Sequence, residues 1–185
     1  MRIEKTKLND LIIIVPDVFG DNRGCFTESY NKQKYQTLGI DVEFVQDNHS
    51  YSKEVGTLRG LHFQTGDFAQ TKLVRCVRGS LMDVCVDLRK NSPTYLQWDA
   101  IELTESNKLQ LLVPKGFALG FVTLSEDVEI MYKVDAFYSK EHDSGVRFDD
   151  PDLCVDWNSI LPNVEFILSE KDKQLKPFKE LNLDF

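Results

Sequence analysis

Short strand-like runs dominate this sequence, and little lies between them that could form a helix. The runs are rich in β-branched, aromatic and other apolar residues, and turn residues separate them. They cover residues 11–15, 43–46, 57–64, 72–77, 80–87, 98–103, 109–113, 120–124 and 129–134. Many short strands without intervening helices favour an antiparallel sandwich or barrel. We therefore expect a mainly β jelly roll, with a tight hairpin turn at "VRGSL".

Two segments predict short helices. In "SYNKQKYQTLGI", Ser29 or Asn31 can cap the start of a helix, and Gly39 can end it. A second helical turn is expected near "LSEKDKQL". Helix is otherwise scarce, which again favours a β fold with only a few short helices.

Length and charge limit the class of protein. The 185 residues fit one domain, which we expect to span residues 1–185. A formal net charge of −8 argues against a nucleic-acid or anionic-membrane surface, although a few local Arg and Lys residues could still hold a small anion. The apolar run 11–15 is too short for a signal peptide, and the four cysteines show no CxxC pairing. These features predict a reduced, cytoplasmic protein.

Strand alternation places polar residues among inward apolar ones. Tyr132 shares a strand face with Ile130, and Lys72 shares one with Val74. A buried hydroxyl needs a hydrogen-bond partner, and an inward lysine is costly unless a charge or ligand meets it. The pattern indicates an interior that carries chemistry.

The run "LRGLHFQ" holds an arginine and a histidine three residues apart. A regular strand would put Arg59 and His62 on opposite faces, but a bulge at Gly60 would bring both to one side. A satisfied core histidine and a solvated arginine are the structural alternatives. Together, however, His62, Tyr132 and Lys72 have the composition of a proton-transfer pocket.

Seven motifs in order identify a resemblance that runs from about residue 11 to residue 172. They are "FGDNRGCFTESYN", "FVQDNHSYS", "LRGLHFQ", "QTKLVRCVRGSLMDVCVDLRKNSPTYLQW", "VPKGFALGFVTLSE", "YKVDAFYS" and "DDPDLCVDW...ILSEKD". Together they resemble the dTDP-4-dehydrorhamnose 3,5-epimerase family. The resemblance implies a cupin-type jelly roll, a homodimer and cofactor-independent epimerisation of dTDP-4-keto-6-deoxyglucose in dTDP-L-rhamnose biosynthesis for surface polysaccharide.

The resemblance also implies catalytic roles. His62 matches the base and Asp172 its carboxylate partner, while Tyr132 matches the acid on the opposite face of the sugar. Lys72 matches the lysine that faces the developing enolate oxygen. These residue types suit the reaction, because proton abstraction beside a ketone needs a base, an acid and a stabilised oxyanion.

The substrate-binding positions follow by the same similarity. They are Arg23, Glu28, Gln46, Asn48, Arg59, Leu119, Tyr138, Asp143 and Lys171. Tyr138 matches a tyrosine stacked on the thymine nucleoside, and Asp143 replaces the more usual glutamate. Taken singly, each has a structural alternative, such as a turn-ending arginine, a strand-end amide or a solvated charge run.

Leu119 in "GFALGF" departs from the family pattern, which has histidine there. Leucine can neither donate nor accept a hydrogen bond, so a buried substrate oxygen would lose a partner worth about 1–3 kcal/mol. The change is either tolerated, or it alters the outcome to epimerisation at one carbon or to a different 4-keto sugar. A deliberate substitution would look the same.

Three rival functions remain open. A metal-dependent cupin needs two or three histidines and a carboxylate on neighbouring strands, and neither His49 nor His142 has a pattern that converges on His62. We therefore expect no metal and no cofactor. A non-catalytic sugar-nucleotide binding module would not need an acid–base pair. A single-carbon epimerase or ketoisomerase is kept open by Leu119.

Overall fold

Thirteen strands and three short helices form the part of the chain that is described here. The computed structural model describes residues 1–183 and 185. The strands are β1 Arg2–Lys5, β2 Ile12–Val15, β3 Phe19–Asp21, β4 Gly24–Phe26, β5 Gln46–Ser52, β6 Leu58–Gln64, β7 Lys72–Arg78, β8 Ser80–Asp87, β9 Trp98–Thr104, β10 Gln110–Val113, β11 Phe117–Thr123, β12 Val128–Val134 and β13 Asp143–Gly145. The helices are α1 Lys32–Thr37, α2 Trp157–Ile160 and α3 Glu170–Lys173, with 3-10 turns at Gly66–Phe68 and Phe178–Glu180.

Two antiparallel sheets face each other. One has the order β1-β2-β10-β7-β12-β5, and the other has the order β13-β6-β11-β8-β9. The strands β3 and β4 form a separate two-stranded hairpin. The predicted jelly roll, mainly β and with few short helices, is confirmed.

Apolar side chains fill three layers around the sheets. The largest interior layer lies between the two sheets, where Val74, Cys85 and Ile130 are buried. Residues from the C-terminal third cover the outer face of the five-stranded sheet around Trp157. Helix α1 covers the outer face of the six-stranded sheet and inserts Tyr35. Both sheets are thus covered on their outer faces, and the polar cavity described below opens from the layer between them.

The turn at Gly79 is correctly placed, but its interpretation as a hairpin is wrong. It joins β7 to β8, which belong to different sheets and do not pair with each other. Gly79 has φ +75°, so a tight turn is present. The chain uses it to cross from one sheet to the other, because each of the two strands has partners distant in sequence.

The strand expected at residues 43–46 is also displaced. Strand β5 begins at Gln46 and runs to Ser52, whereas residues 41–45 have no regular structure. It is an edge strand that pairs only with β12. Its partly buried positions, among them Gln46 and Asn48, are polar, so apolar content does not mark it.

The helix predictions are confirmed at both sites. Asn31 is the N-cap of α1 and accepts a hydrogen bond from the Lys34 backbone N–H, while Gly39 follows the helix with φ +81°. Ser169 caps α3 in the same way. This second cap positions a functional carboxylate.

Candidate active site

A cavity of about 350 Å³ lies between the two sheets. Its walls come from both sheets and from the loop that leads into α3. The lining residues with polar or charged side chains are Ser50, Arg59, His62, Lys72, Asp83, Tyr132, Ser169, Lys171 and Asp172. Leu119 lies on the same wall. Seven sequence-predicted residues from distant parts of the chain therefore share one cavity: Arg59, His62, Lys72, Leu119, Tyr132, Lys171 and Asp172.

A bulge in β6 brings Arg59 and His62 to the same side. His62 pairs with Leu119 and Arg59 pairs with Phe121, so three steps along β6 match two along β11. Gly60 has φ +126°, and a Cβ there would lie 2.5 Å from the Gly120 Cα. Only glycine fits this position, and the bulge expected from the sequence is confirmed.

The His62 ring is held by a carboxylate 110 residues further along the chain. His62 Nε2 lies 2.5 Å from Asp172 Oδ1. The Ser169 hydroxyl donates to Asp172 Oδ2 at 2.9 Å, and the Asp172 backbone N–H donates to Ser169 Oγ at 3.1 Å. This reciprocal cap of α3 resembles a capping box and fixes the carboxylate. The Nδ1 atom of His62 has no protein partner within the described residues.

Burial and hydrogen bonding act on Asp172 in opposite directions. The carboxyl group is buried, which raises its pKa, but the hydrogen bonds from His62 and Ser169 outweigh burial, and the net pKa is lowered. Asp172 is therefore an anion at neutral pH. It can orient the imidazole and stabilise its charged form.

Lys72 and Tyr132 come from the opposite sheet. Tyr132 pairs with Val74 on β7 and with Asn48 on β5, while Val134 pairs with Lys72. Burial raises the pKa of Tyr132, and the negative charge of Asp143 adds to this effect. The phenol consequently keeps its proton well into the alkaline range and can act as an acid.

The side chain of Lys72 points between the two sheets and is half-buried. Burial lowers its pKa, and the negative charge of Asp83 partly opposes this. Lys72 lines the first cavity and a second one next to it, so it stands between the two. A cation at this point can stabilise negative charge that develops on a ligand.

The second cavity, of about 290 Å³, gathers most of the expected substrate-binding residues. Its lining includes Gln46, Asn48, Tyr138, Asp143 and Lys171 together with His62, Lys72 and Tyr132. Asp143 Oδ2 accepts from Lys171 Nζ at 2.5 Å and from the Tyr138 hydroxyl at 3.2 Å. Tyr138 is 57% exposed, so a flat ligand group could stack on its aromatic ring.

Arg23 and Glu28 do not reach either cavity. Arg23 lies on the β3–β4 hairpin, where its guanidinium pairs with Asp21 at 2.5 Å. Glu28 precedes α1 and pairs with Lys34 and Asn31. Within one chain the structure thus brings together every expected site residue except these two.

Asp83 is the charged residue of the first cavity that sequence reasoning missed. It lies in "SLMDVCVD", where it shares a strand face with Leu81 and Cys85, which are fully buried. The sequence did carry a signal for Asp83, namely an acid at an inward position of an apolar strand. The same kind of signal marked Lys72. Gln70, which lines the second cavity, carried no comparable signal.

The other two histidines lie away from His62. His49 faces outward from β5 and contacts Glu129, and His142 stacks on Phe68. Across residues 1–183 and 185, no group of three or more His, Cys, Asp or Glu side chains is arranged to hold a metal ion. None of the helices in this same part of the chain is long and apolar enough to cross a membrane.

The fold and the cavity together define a class of protein, a cupin-type jelly roll with an acid–base pocket between its sheets. A family model described as dTDP-4-dehydrorhamnose 3,5-epimerase matches residues 5–180. The dTDP-4-dehydrorhamnose 3,5-epimerase of Methanothermobacter thermautotrophicus is 46% identical over 97% of this chain and 95% of its own length.

Solved structures agree. The Bacillus anthracis enzyme of that name, crystallised with TDP and PPi bound, is 51% identical with a TM-score of 0.91, over 96% of this chain and 99% of that one. A Legionella pneumophila epimerase in complex with dTDP-4-keto-L-rhamnose is 40% identical with a TM-score of 0.91, over 98% and 94%. The chain belongs to the dTDP-4-dehydrorhamnose 3,5-epimerase family. The family and the enzyme class predicted from the motifs are confirmed.

Proposed function

We propose that this protein epimerises carbons 3 and 5 of dTDP-4-keto-6-deoxy-D-glucose to give dTDP-4-keto-L-rhamnose, a step of dTDP-L-rhamnose biosynthesis. One observation carries the proposal. The His62–Asp172 pair from one side of the cavity and Lys72 and Tyr132 from the opposite sheet line a single cavity. A binding module would need no such base, acid and cation around one space.

The chemistry follows from the ketone at carbon 4. Removing a proton from carbon 3 or carbon 5 leaves an enolate, whose charge sits on the ketone oxygen. His62 takes the proton, and the resulting imidazolium is stabilised by the Asp172 carboxylate. The Lys72 ammonium stabilises the enolate oxygen. Tyr132 then delivers a proton to the other face of the carbon, which inverts its configuration.

The second cavity suits the nucleotide. Lys171 supplies positive charge for a diphosphate, with Arg59 in the adjoining first cavity, and Gln46 and Asn48 supply amide donors on the same sheet face as Tyr132. Tyr138 offers its exposed ring for stacking on the thymine. Asp143 orients both Tyr138 and Lys171 through the hydrogen bonds described above.

We further propose that the enzyme works as a homodimer in which Arg23 and Glu28 serve the partner's site. Phe19 and Phe26 face each other on the β3–β4 hairpin and are 63% and 65% exposed. Two large exposed aromatic residues on a projecting hairpin are typical of a protein–protein contact. The same hairpin carries Arg23, which lies outside both cavities of its own chain.

Three further proposals concern the domain, the cofactor and the cellular compartment. Residues 1–185 form one catalytic domain. The reaction requires neither a metal nor an organic cofactor, because the side chains named above supply the base, the acid and the oxyanion stabilisation. We place the enzyme in the cytoplasm, where a sugar nucleotide is available and the four free cysteines stay reduced.

One observation favours a second candidate, a single-carbon epimerase. Leu119 pairs directly with His62 across β6 and β11 and lines the cavity. An apolar side chain beside the base removes a hydrogen-bonding group that could hold the sugar in one of its two reactive poses. Loss of either pose would restrict inversion to carbon 3 or to carbon 5.

The deciding experiment is incubation with dTDP-4-keto-6-deoxy-D-glucose in heavy water, with deuterium located on the recovered sugar by NMR. Label at both carbons is the expected result and supports the double epimerase. Label at one carbon supports the second candidate. If a folded protein that binds dTDP incorporates no label, both candidates are wrong, and another 4-keto sugar nucleotide should be tried.

A further inference from the structure

Asp83 is a buried acid in an apolar wall of the cavity. Its residue exposure is 0%, and it lies on the inward face of β8. On one side it pairs with Phe121 of β11, and on the other with Ile101 of β9. Neither neighbour can donate a hydrogen bond. A carboxyl group in such a position is expensive unless something else compensates it.

No hydrogen bond from the described residues compensates it. Neither oxygen of Asp83 has a hydrogen-bond partner among them, and these are the only buried side-chain polar atoms in this condition. The other buried acids contrast with it. Asp87 accepts from Arg89, Ser92 and Thr94, and Asp172 is bonded as described above. These buried acids thus have hydrogen-bond partners, whereas the carboxyl group of Asp83 is available to a group in the cavity.

Lys72 is the cation that faces this interior from the opposite sheet. It lines the same cavity as Asp83, and no carboxylate of residues 1–183 or 185 lies within 4.0 Å of its ammonium group. Burial raises the pKa of Asp83, and the positive charge of Lys72 opposes this rise and favours the carboxylate. Asp83 is likewise the foremost charge that keeps Lys72 protonated. Each is therefore the main electrostatic partner of the other.

Other charged and titratable groups also face this interior. They are Arg59 and His62 on β6, Cys85 on β8, Tyr132 on β12, Asp143 on β13 and Asp172 on α3. Arg59 bonds to Ser52 and to the Tyr51 carbonyl, and Asp143 bonds to Lys171. Asp99 on β9, beside Cys85, pairs with Lys7. Lys72 is the cation whose charge acts on Asp83.

We propose that Asp83 is a positioning residue, whose carboxylate holds the Lys72 ammonium charged and directed at the substrate's ketone oxygen. This inference deepens the proposed function and rests on it. Leu119 strengthens the dependence, since it lies diagonally across β11 from Asp83 and offers no donor of its own. In this chain Asp83 is therefore the foremost negative charge acting on the Lys72 ammonium.

The test compares Asp83→Asn with Asp83→Glu and with Asp99→Asn, a buried acid on the adjacent strand outside the cavity. Asp83→Asn should lower kcat about 10-fold or more with little change in KM. Lys72 works protonated, and loss of the neighbouring anion lowers its pKa. The alkaline limb of the kcat–pH profile should therefore move to lower pH by about one unit. Asp83→Glu should retain most of kcat, and Asp99→Asn should match the wild type.

A second readout needs no substrate. The Lys72 ammonium is titrated by ¹⁵N NMR and assigned with Lys72→Arg, and its midpoint should fall in Asp83→Asn but not in Asp99→Asn. Unchanged kcat, pH profile and Lys72 midpoint in Asp83→Asn would overturn the inference. If that variant does not fold, Asp83→Ser, which also removes the negative charge, takes its place, and an unmoved Lys72 midpoint and pH limb there would overturn the inference. A wild type without deuterium exchange refutes the proposed function, whereas the NMR titration still decides whether the two groups interact.

Discussion

His62 Nε2 and Asp172 Oδ1 lie 2.5 Å apart, although a strand supplies one and a four-residue helix the other. The helix is short, yet its cap fixes the carboxylate from two directions. The geometry leaves Nδ1 of the imidazole as the nitrogen that can face a substrate. The relationship resembles the base and orienting acid found in other proton-transfer sites, where the carboxylate holds the ring and stabilises its charge.

Replacing Asp172 by asparagine should lower kcat by about 100-fold or more, because the neutral amide cannot stabilise the imidazolium. Binding of dTDP should change little, since Asp172 lines only the sugar-side cavity. Steady-state kinetics and calorimetric titration with dTDP measure the two effects separately. Unchanged kcat in the variant would contradict the role given to the pair.

The same substitution predicts a pH-dependent loss of stability. The pKa of Asp172 is lowered in the folded state, so its stabilising contribution is complete above the unfolded value of about 3.9 and disappears as pH falls through the folded value. Asp172→Asn should cost about 1–3 kcal/mol in the free energy of unfolding at pH 7, and the difference should shrink below about pH 4. Urea unfolding at pH 7, 5, 4 and 3 measures it.

Asp149→Asn is the matched control for stability. Asp149 pairs with Arg147 at the surface, where both side chains are 45% exposed, so its loss should cost less than about 1 kcal/mol at any pH. An Asp172 effect that does not vary with pH would mean that packing, and not the charge of the carboxylate, is responsible.

Tyr132→Phe should separate proton exchange from inversion. The variant keeps His62, Asp172 and Lys72, so the enolate can still form and take deuterium back from the side of the base. Without the phenol no proton arrives on the opposite face, and product formation should fall by about 100-fold or more. NMR in heavy water distinguishes labelled substrate from labelled product. Equal losses of exchange and inversion would place Tyr132 in enolate formation instead.

Leu119→His should restore a hydrogen-bonding group beside His62. If a substrate oxygen now lacks a partner there, kcat/KM should rise by about 5- to 100-fold, equivalent to about 1–3 kcal/mol. Leu119→Met is the control, because it keeps the apolar character and volume. Measurement of label at carbons 3 and 5 in both variants shows whether either rate responds more. No gain in kcat/KM would mean that the substrate makes no contact at this position.

The hairpin should hold the dimer together. Substituting serine for both Phe19 and Phe26 should convert dimers to monomers at micromolar concentration, as measured by analytical ultracentrifugation. Phe137 is the control position, because it is also an exposed phenylalanine (64% exposed) but lies outside the hairpin, next to Tyr138. If the double variant stays dimeric with unchanged affinity, the interface lies elsewhere.

Mixing variants tests whether Arg23 acts across the dimer. Arg23→Ala and His62→Asn subunits are dissociated, combined in equal amounts and reassociated. If Arg23 serves the partner's site, each mixed dimer regains one complete site, and activity should reach about a quarter of the wild-type level. If Arg23 serves its own chain, no site is complete and activity stays at the mean of the two variants.

The sequence by itself determined the fold class and most of the residues that carry chemistry. Alternation with a period of two marks Lys72 and Tyr132 as inward, and the glycine in "LRGLHFQ" indicates the bulge that turns Arg59 toward His62. The short helix α3 was likewise predicted from the segment "LSEKDKQL". These features depend on neighbours along the chain, and local physics is therefore enough to predict them.

Tertiary structure decided what depends on partners distant in sequence. It set β7 and β8 in different sheets, although the turn at Gly79 looks like a hairpin, because strand pairing is a competition among all strands. It also brought Asp172 to His62 and left Asp83 without a hydrogen-bond partner opposite Phe121. The position of Arg23 outside the cavities of its own chain is likewise set by tertiary structure. Sequence patterns indicate which way a side chain points, but only the packed sheets determine which groups it meets.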